Sequence, residues 1–216
     1  MARTNKSAAA VGGADSDTGL RERILNAAFG AFVEHGYAGT STLEIATRAR
    51  VSKRELYALF KSKEAMLIAG ITARTARMGA ADELPEARDR AMLGEILVDF
   101  GARLLHEASH PHVIAVYRLA MGEYARAPEI AHTLHSVGRE RIRNTLTKGI
   151  ARAQAVGLLR KGDSGVLASW FLGLLWHDHF VNLLLGAETQ PSEAECRRRA
   201  RVAATEFLDL NAPPRG

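Results

Sequence analysis

The stretch S-T-L-E-I-A-T-R-A-R-V-S-K-R-E-L-Y-A-L-F, residues 41–60, decides the fold. It contains two capping-box patterns, S-T-L-E at residues 41–44 and S-K-R-E at residues 52–55. In each, the serine hydroxyl can accept a backbone amide while the glutamate reaches back to the helix start. The spacing leaves room for a helix of about eight residues and a short turn, as in a helix-turn-helix. A tight helix pair with no role in DNA binding has the same spacing, so the pattern alone leaves both interpretations open.

The segment that precedes this pair predicts one more helix. Its apolar residues Ile24, Ala28 and Phe32 recur at four-residue steps, and Gly36 stands where a left-handed residue closes a helix. We therefore expect a first helix from about Leu20 to His35. Residues 1–18 are polar and lack a long apolar run, which predicts a disordered arm with no export signal.

The period of the apolar residues is helical along the whole chain, and alternating patterns typical of strands are scarce. We predict an all-α protein of about nine helices. Pro85 disfavours helix at Leu84 and ends the fourth helix, which we expect from about Lys63 to Ala80. This organisation predicts an N-terminal domain at residues 19–80, with its helix-turn-helix at about 42–61, and a second helical domain at residues 86–212.

Composition narrows the class of protein. The single Cys196 excludes an internal disulfide and any Cys-based zinc site, which fits a cytoplasmic protein. Residues 1–63 hold ten of the 29 Lys and Arg but only six of the 24 Asp and Glu, whereas the remaining residues are nearly balanced. The excess of positive charge in the first third favours a polyanionic partner there, with an Arg-rich surface as the alternative.

Residues 21–67 closely resemble the N-terminal domain of the TetR family of bacterial transcriptional regulators. The matching positions are Ile24, Ala28, Phe32, Gly36, Tyr37, Thr42, Ile45, Ala46, Val51, Ser52, Leu56, Tyr57, Phe60, Ser62, Lys63 and Glu64. The resemblance implies a helix-turn-helix that reads double-stranded DNA. It also implies a set of DNA contacts at Thr42, Ser52, Lys53, Arg54, Glu55, Tyr57, Lys61 and Lys63.

The roles within this set differ. Thr42 resembles the residue that donates to a phosphate, and Tyr57 resembles the family's phosphate or base contact. Lys61 and Lys63 flank the start of the fourth helix, where the helix dipole also favours a phosphate. Leu56 and Phe60 are expected in the core, and each exposed Lys has simple solvation as its alternative.

Four positions depart from the family pattern. Arg50 stands where the turn usually has Gly, and a left-handed backbone there costs a non-Gly residue about 1 kcal/mol. Arg54 and Glu55 replace the usual Gly-Thr or Gly-Ser, and Leu59 replaces a common His. Arg54 could read guanine through two hydrogen bonds, whereas the capping box already explains Glu55. The operator sequence of relatives therefore does not transfer to this chain.

Residues 110–131 resemble the AcrR- and AefR-type subgroup, which implies a C-terminal ligand-binding and dimerisation domain. Val113, Val116, Tyr117, Ala120 and Met121 share one helix face, and core packing accounts for most of them. We predict that Tyr117 and Met121 line a small-molecule cavity, and we add Trp176 and His177 as further candidates. The expected ligand is a small hydrophobic or amphipathic molecule of unknown identity.

Residues 166–186 are apolar on every side, which demands burial all round. His177, Asp178, His179 and Asn182 within this run argue against a membrane span. Packing against both its own domain and a second subunit satisfies the pattern. The resemblance likewise implies a homodimer through the helices at about 163–186 and 191–210, in a four-helix bundle.

The eight histidines do not form a convincing metal site. His177 and His179 point to different sides of a helix, and Pro111 interrupts a helix that would join His106 and His110. No phosphate loop or nucleophile motif is present, so we expect no enzyme activity, no metal and no cofactor.

The sequence therefore predicts a homodimeric DNA-binding repressor that a small molecule releases from a palindromic operator. One alternative is a ligand-binding or interaction protein of the same fold whose DNA reading has been altered or lost. A small helical enzyme is the other.

Overall fold

The computed structural model describes residues 11–77 and 83–214, and within these residues every regular element is helical. The helices are α1 (Val11–His35), α2 (Thr42–Ala49), α3 (Lys53–Leu59), α4 (Lys63–Arg77), α5 (Arg90–Ala108), α6 (Pro111–Gly122), α7 (Pro128–Thr133), α8 (Glu140–Ala155), α9 (Ser164–Trp176), α10 (His179–Leu185) and α11 (Glu193–Leu210). A π-helical segment, Leu134–Arg139, joins α7 to α8 without a break. The described residues thus contain ten continuous helices, and the all-helical prediction is confirmed.

The first helix begins earlier than the sequence predicted. Helix α1 begins at Val11, so residues 11–18 are helical and the prediction of a disordered arm through residue 18 was wrong there. Extending an established helix costs far less than starting one, and no proline interrupts this segment. Residues 1–10 lie outside the described residues. So do residues 78–82, where the predicted end of the fourth helix falls.

The helix-turn-helix is closed by the predicted cap chemistry. Ser52 Oγ accepts the amide of Glu55 at 3.1 Å, and Glu55 Oε2 accepts the amide of Ser52 at 2.8 Å. Ser41 Oγ accepts the amide of Glu44 in the same way, but the Glu44 carboxylate lies 3.1 Å from His35 Nε2 instead of reaching back. The capping box is therefore complete at α3 and only half formed at α2.

Arg50 adopts the left-handed conformation that the family pattern suggested, with φ 55° and ψ 48°. Its amide closes α2 by donating towards the carbonyls of Ala46 and Thr47. Glycine adopts this conformation without the Cβ clash that a side chain brings, so Arg50 costs the turn about 1 kcal/mol.

Buried apolar residues form two clusters. The body cluster contains the buried apolar residues of α5, α8, α9 and α11 together with Leu84 and Leu159. The head cluster contains those of α1 to α4, but it also includes Val116 and Ala120 of α6 and Ile130 of α7. Helix α6 therefore packs into the core of the N-terminal part, which couples that part to the rest of the chain.

The predicted dimerisation helix at about 163–186 is not continuous. It divides into α9 and α10 at His177, whose φ of 46° and ψ of −127° cannot continue a helix. Apolar periodicity could not reveal this break, because the apolar run continues across it. The other predicted dimerisation helix, at about 191–210, agrees with α11, which Ser192 caps at its start.

Candidate DNA-reading surface and ligand cavity

Helix α3 divides its residues between the core and the solvent. Leu56 is fully buried and Phe60, just past the helix end, is 1% exposed, so both fasten α3 to the head cluster. Lys53, Arg54 and Tyr57 are exposed, and Lys61 beyond the helix is exposed as well. The side chains available to DNA are thus those that a recognition helix needs, with two cations and one phenol on the free side.

A hydrogen bond joins the two helices of the motif. The hydroxyl oxygens of Thr42 and Tyr57 lie 3.0 Å apart, so the start of α2 and the middle of α3 are connected. Each hydroxyl keeps a further hydrogen-bonding position, because a hydroxyl offers one donor and two acceptor sites. The pair can therefore contact the same stretch of DNA backbone.

Ser52 and Glu55 are used by the capping box that starts α3. The hydrogen bonds from the Ser52 side chain and backbone lower the pKa of Glu55 below its ordinary value. The carboxylate is therefore held in the ionised form at neutral pH. A base contact by Glu55 would have to share the carboxylate with this cap.

Lys63 has a structural role that the sequence did not reveal. Its Nζ donates to the backbone carbonyls of Tyr37 and Thr40, both at 2.8 Å, and lies 4.8 Å from the centre of the Tyr37 ring. These contacts hold the loop between α1 and α2 against the start of α4. The predicted phosphate contact of Lys63 stays a prediction, and a phosphate would meet an ammonium that is already fixed in place.

Replacing Lys63 with Ala is expected to lower the free energy of unfolding by about 1–3 kcal/mol, because two charge-assisted hydrogen bonds are lost. Lys61→Ala is the matched control. It removes the same charge from an exposed side chain, and we expect a change within about 0.5 kcal/mol. Urea denaturation measures both changes in stability.

If Lys63 also contacts a phosphate, the slope of log affinity for DNA against log salt falls by about one in the Lys63→Ala variant. Equal stability of the two variants would contradict the structural role.

A cavity of about 770 Å³ lies between the DNA-binding part and the body. Its walls come from α1, α4, α5, α6, the π-helical segment, α8, α9 and α10, so both clusters contribute to it. A volume in this range suits a drug-sized molecule. The cavity is therefore large enough for a ligand that touches the head and the body at once.

Three of the four predicted cavity residues line it. Tyr117, Trp176 and His177 do, whereas Met121 does not: its side chain is 58% exposed, one helical turn beyond Tyr117. The prediction for Met121 was wrong because the cavity ends before the last turn of α6. Residues on one helix face point the same way, but this pattern does not show how far along the helix a cavity extends.

One wall of the cavity is aromatic. The Tyr117 and Phe180 rings meet edge to face at 4.9 Å, and Phe180 meets Trp176 at 5.1 Å. Burial raises the pKa of the Tyr117 hydroxyl, and the neighbouring Arg139 guanidinium opposes this rise. The phenol therefore stays protonated at neutral pH and can donate a hydrogen bond to a ligand.

The wall nearest α4 is polar. Arg74 of α4 pairs with Glu107 of α5 at 3.2 Å between Nε and Oε2, and both side chains are largely buried. His110 Nδ1 accepts the amide of His112 at 3.3 Å, which caps the start of α6. Burial and the positive charge of Arg74 lower the pKa of His110. The cavity thus combines flat apolar contacts with several hydrogen-bonding groups.

The apolar pattern of α1 and α4 did not predict that these two helices line the cavity. Phe29 of α1 and Gly70 of α4 both line it, and a Cβ at Gly70 would lie 2.0 Å from the Phe29 ring. Glycine at position 70 therefore leaves the space that the ring occupies. As an isolated Gly within a helical pattern, Gly70 marked one position where such close packing could have been suspected.

Within residues 11–77 and 83–214, no group of three or more His, Cys, Asp and Glu side chains is arranged to hold a metal ion. In the same part of the chain, no helix combines the length and the apolar character needed to cross a bilayer.

Two family models match the chain. Residues 24–69 match the model described as bacterial regulatory proteins, tetR family. Residues 95–211 match the model described as AefR-like transcriptional repressor, C-terminal domain. The second match alone covers more than half of the chain, and together they account for the head and the body.

Individual relatives agree with these models. The chain is 34% identical over 165 residues to the uncharacterized HTH-type transcriptional regulator YvkB of Bacillus subtilis (strain 168), which covers 76% of this chain and 84% of that protein. Among solved structures, it is similar to the flavonoid-responsive regulator FrrA, with 29% identity, a TM-score of 0.71 and coverage of 92% and 100% of the two chains.

A TetR transcriptional regulator from Agrobacterium tumefaciens is also similar, with 27% identity, a TM-score of 0.73 and coverage of 90% and 95% of the two chains. The helix-turn-helix, the helical body and these relatives agree with one another. The chain belongs to the TetR family of bacterial transcriptional regulators, with an AefR-like C-terminal domain.

Proposed function

We propose that this regulator is a cytoplasmic, homodimeric repressor that a small molecule releases from a palindromic operator. The observation that carries the proposal is the composition of the cavity wall. Residues from α1 and α4, such as Phe29 and Arg74, line the same cavity as Tyr117 and Trp176 of the body. A molecule bound there touches the DNA-binding part directly, so it can favour one position of that part over another.

An exposed apolar face supports the homodimer. Val166 and Trp170 of α9, Val181 and Leu185 of α10, and Val202 of α11 all expose more than two fifths of their surface. Gly173, on the same side of α9, leaves room for close approach of a second helix, since nothing lies within 4 Å of its would-be Cβ. A second copy related by twofold symmetry covers this face and supplies a second recognition helix for the other half of a palindrome.

The cavity supports a flat aromatic ligand that carries hydroxyl or acidic groups. The rings of Tyr117, Trp176 and Phe180 offer edges and faces for stacking, and Arg74, His112 and Arg139 supply hydrogen bonds around them. The similar regulator FrrA is described as flavonoid-responsive, which is consistent with a ligand of this kind. We include polyphenols among the first compounds to test.

The DNA contacts divide between positioning and base reading. Thr42, Tyr57, Lys61 and Lys63 are assigned to the phosphate backbone, and Ser52 and Glu55 mainly start α3. Lys53 and Arg54 are left on the exposed side of α3, where base edges are within reach. Arg54 is the candidate for guanine, because its guanidinium can donate two hydrogen bonds to O6 and N7.

Electrophoretic retardation of the DNA that flanks the gene, run with non-specific competitor DNA, tests the repressor. Retention that a polyphenol reverses supports it. Absence of specific retention on every flanking or genome-selected fragment would favour the alternative, a ligand-binding or interaction protein whose DNA reading has been lost. Reversal by no ligand, with retention intact, would leave a DNA-binding regulator without the proposed gating.

Arg54→Ala is expected to relax specificity at one operator position, where the preference for guanine falls by about 1–3 kcal/mol. Arg54→Lys is the matched control, because it keeps the positive charge but loses the planar pair of hydrogen bonds of the guanidinium. The Ala variant should therefore lose both the guanine preference and part of the salt dependence, whereas the Lys variant should keep the salt dependence and part of the preference, since an ammonium can also donate to O6 and N7. Competition binding with operators substituted at single positions measures this. Unchanged preference at every position in both variants would remove Arg54 from base reading.

A further inference from the structure

The turn between α9 and α10 holds a residue in a conformation that favours glycine. His177 has φ 46° and ψ −127°, close to the first central position of a type II′ turn, which glycine usually occupies. A side chain there is strained, and such strain persists only when the surroundings hold it. The His177 side chain itself is exposed, so it is not the element that holds the turn.

Contacts beyond the turn hold it in place. His179, 1% exposed, pairs through Nδ1 with Glu188 in the loop after α10. Asn182 Nδ2 also donates to Glu188, at 2.8 Å, and so fixes the same carboxylate. These contacts anchor α10 in an orientation that a straight continuation of α9 would not have.

Helix α10 is connected to the cavity, to the exposed apolar face and to α6. Phe180 and Val181 line the cavity, and Val181 also belongs to the exposed face. Arg118 of α6 donates from Nε to the carbonyl of Leu184 and from Nη2 to that of Leu183, both at 2.9 Å. Because α6 packs into the head cluster through Val116 and Ala120, a shift of α10 reaches the DNA-binding part through one helix.

We infer that the α9–α10 turn at His177 is a two-state hinge by which the cavity ligand regulates DNA binding. In the bent state, α10 completes the aromatic wall and a ligand can bind. In the straight state, residues 164–185 form one helix, the strain at His177 is released, and α10 leaves Arg118. DNA binding favours the straight state, and a ligand that stacks on Phe180 and Trp176 opposes it through its higher affinity for the bent state, which is also the state of the free protein. The hinge rests on the proposed function, because it regulates the same cavity.

Glycine and alanine at position 177 separate the two states. Both variants remove the imidazole, so a difference between them reports the backbone. His177→Gly relieves the bent state, whereas His177→Ala favours the straight helix, where alanine is the better residue. We therefore expect a higher Tm for the Gly variant than for the Ala variant, because the bent state is the resting one. The reverse order would overturn the inference.

Ligand affinity is then measured by calorimetric titration with 1-anilinonaphthalene-8-sulfonate, an aromatic sulfonate. We expect one probe per protomer and an affinity about tenfold higher for the Gly variant than for the Ala variant. The DNA fragment retained by the wild-type protein should be released at correspondingly lower probe concentration from the Gly variant. Equal probe affinities, within twofold, would overturn the hinge. If no variant binds the probe, the rates of amide hydrogen exchange at residues 178–181 decide instead. Only the straight helix provides hydrogen-bond acceptors for these amides, so equal exchange rates in the Gly and Ala variants would overturn the hinge.

The outcomes for the hinge and the repressor are separable. Probe affinities that differ while no protein retains DNA would refute the repressor and keep only the coupling between the hinge and the cavity. DNA retention together with equal probe affinities in the two variants would keep the repressor and refute the hinge. Arg118→Ala, combined with each of the two His177 variants, tests the route through α6. We expect the Gly and Ala variants to differ less in DNA release when Arg118 is absent, while their probe affinities differ as before. An unchanged difference in DNA release would exclude Arg118 from that route.

Discussion

Trp170→Asp is expected to convert the proposed dimer into monomers and to remove specific DNA retention. The Trp170 ring is 49% exposed on α9, in the middle of the apolar face that also presents Val181 and Leu185. Twofold symmetry would bury two new carboxylates in this face and remove both indole rings, each of which has the Arg160 guanidinium 5.5 Å from its centre. Desolvating the carboxylates costs several kcal/mol, which a neighbouring guanidinium offsets only in part, so we expect the dissociation constant of the dimer to rise at least about a hundredfold.

Sedimentation velocity across a dilution series, together with electrophoretic retardation, measures this effect. Val156→Asp is the matched control, since Val156 is also an exposed apolar residue but stands at the C-cap of α8 and belongs to none of the three helices that form the face. The control should remain dimeric and retain DNA. A dimeric Trp170→Asp variant would show that the two copies associate through another surface. A monomer with full affinity for a palindromic fragment would refute the need for two recognition helices.

Phe60→Ala is expected to lower the free energy of unfolding by about 3–5 kcal/mol and to weaken DNA binding sharply. Phe60 is 1% exposed and lies directly after α3, and the guanidinium of Arg21 stands 4.6 Å from the centre of its ring. Its loss leaves a cavity in the head cluster where the recognition helix is fastened. Proteins of this size are stable by only about 5–15 kcal/mol, so the loss is a large share of the total, and it falls on the contact that positions α3.

Phe171→Ala separates the loss of the anchor from general loss of stability. Phe171 is fully buried in the body cluster, where it meets Phe207 edge to face at 5.5 Å. Phe171→Ala should lower the free energy of unfolding, measured by urea denaturation, by a similar amount. At a temperature where both variants are folded, the Phe171 variant should retain DNA and the Phe60 variant should not. Equal losses of DNA affinity would indicate that the head and the body unfold as one unit.

The start of α3 could be predicted in detail because its chemistry is local. Ser52 and Glu55 are three residues apart, and the capping box they form needs no distant partner. The same holds for Arg50, whose left-handed backbone follows from its place in a tight turn. The contrast between buried Leu56 and exposed Arg54 follows from helix geometry alone.

Other features depended on partners outside the local pattern. Lys63 reads as a free cation, yet its ammonium donates to carbonyls 23 and 26 residues earlier. Glu44 reads as half of a capping box, but His35 and Arg48 lie beside its carboxylate instead. In both cases the local pattern offered one partner, and the folded chain brought a different one closer.

The sequence by itself determined the helical class, the helix-turn-helix and the family, since periodicity, capping and residue spacing act over a few residues. Only the tertiary structure decided that α1 and α4 share a cavity with α6 and α10, that Met121 stands outside it, and that α9 and α10 meet at a strained His177. Helices pack by the shape of whole surfaces, and Glu188 anchors α10 through His179, nine residues earlier in the chain. A cavity and a bend depend on which surfaces meet, and local patterns do not carry that information.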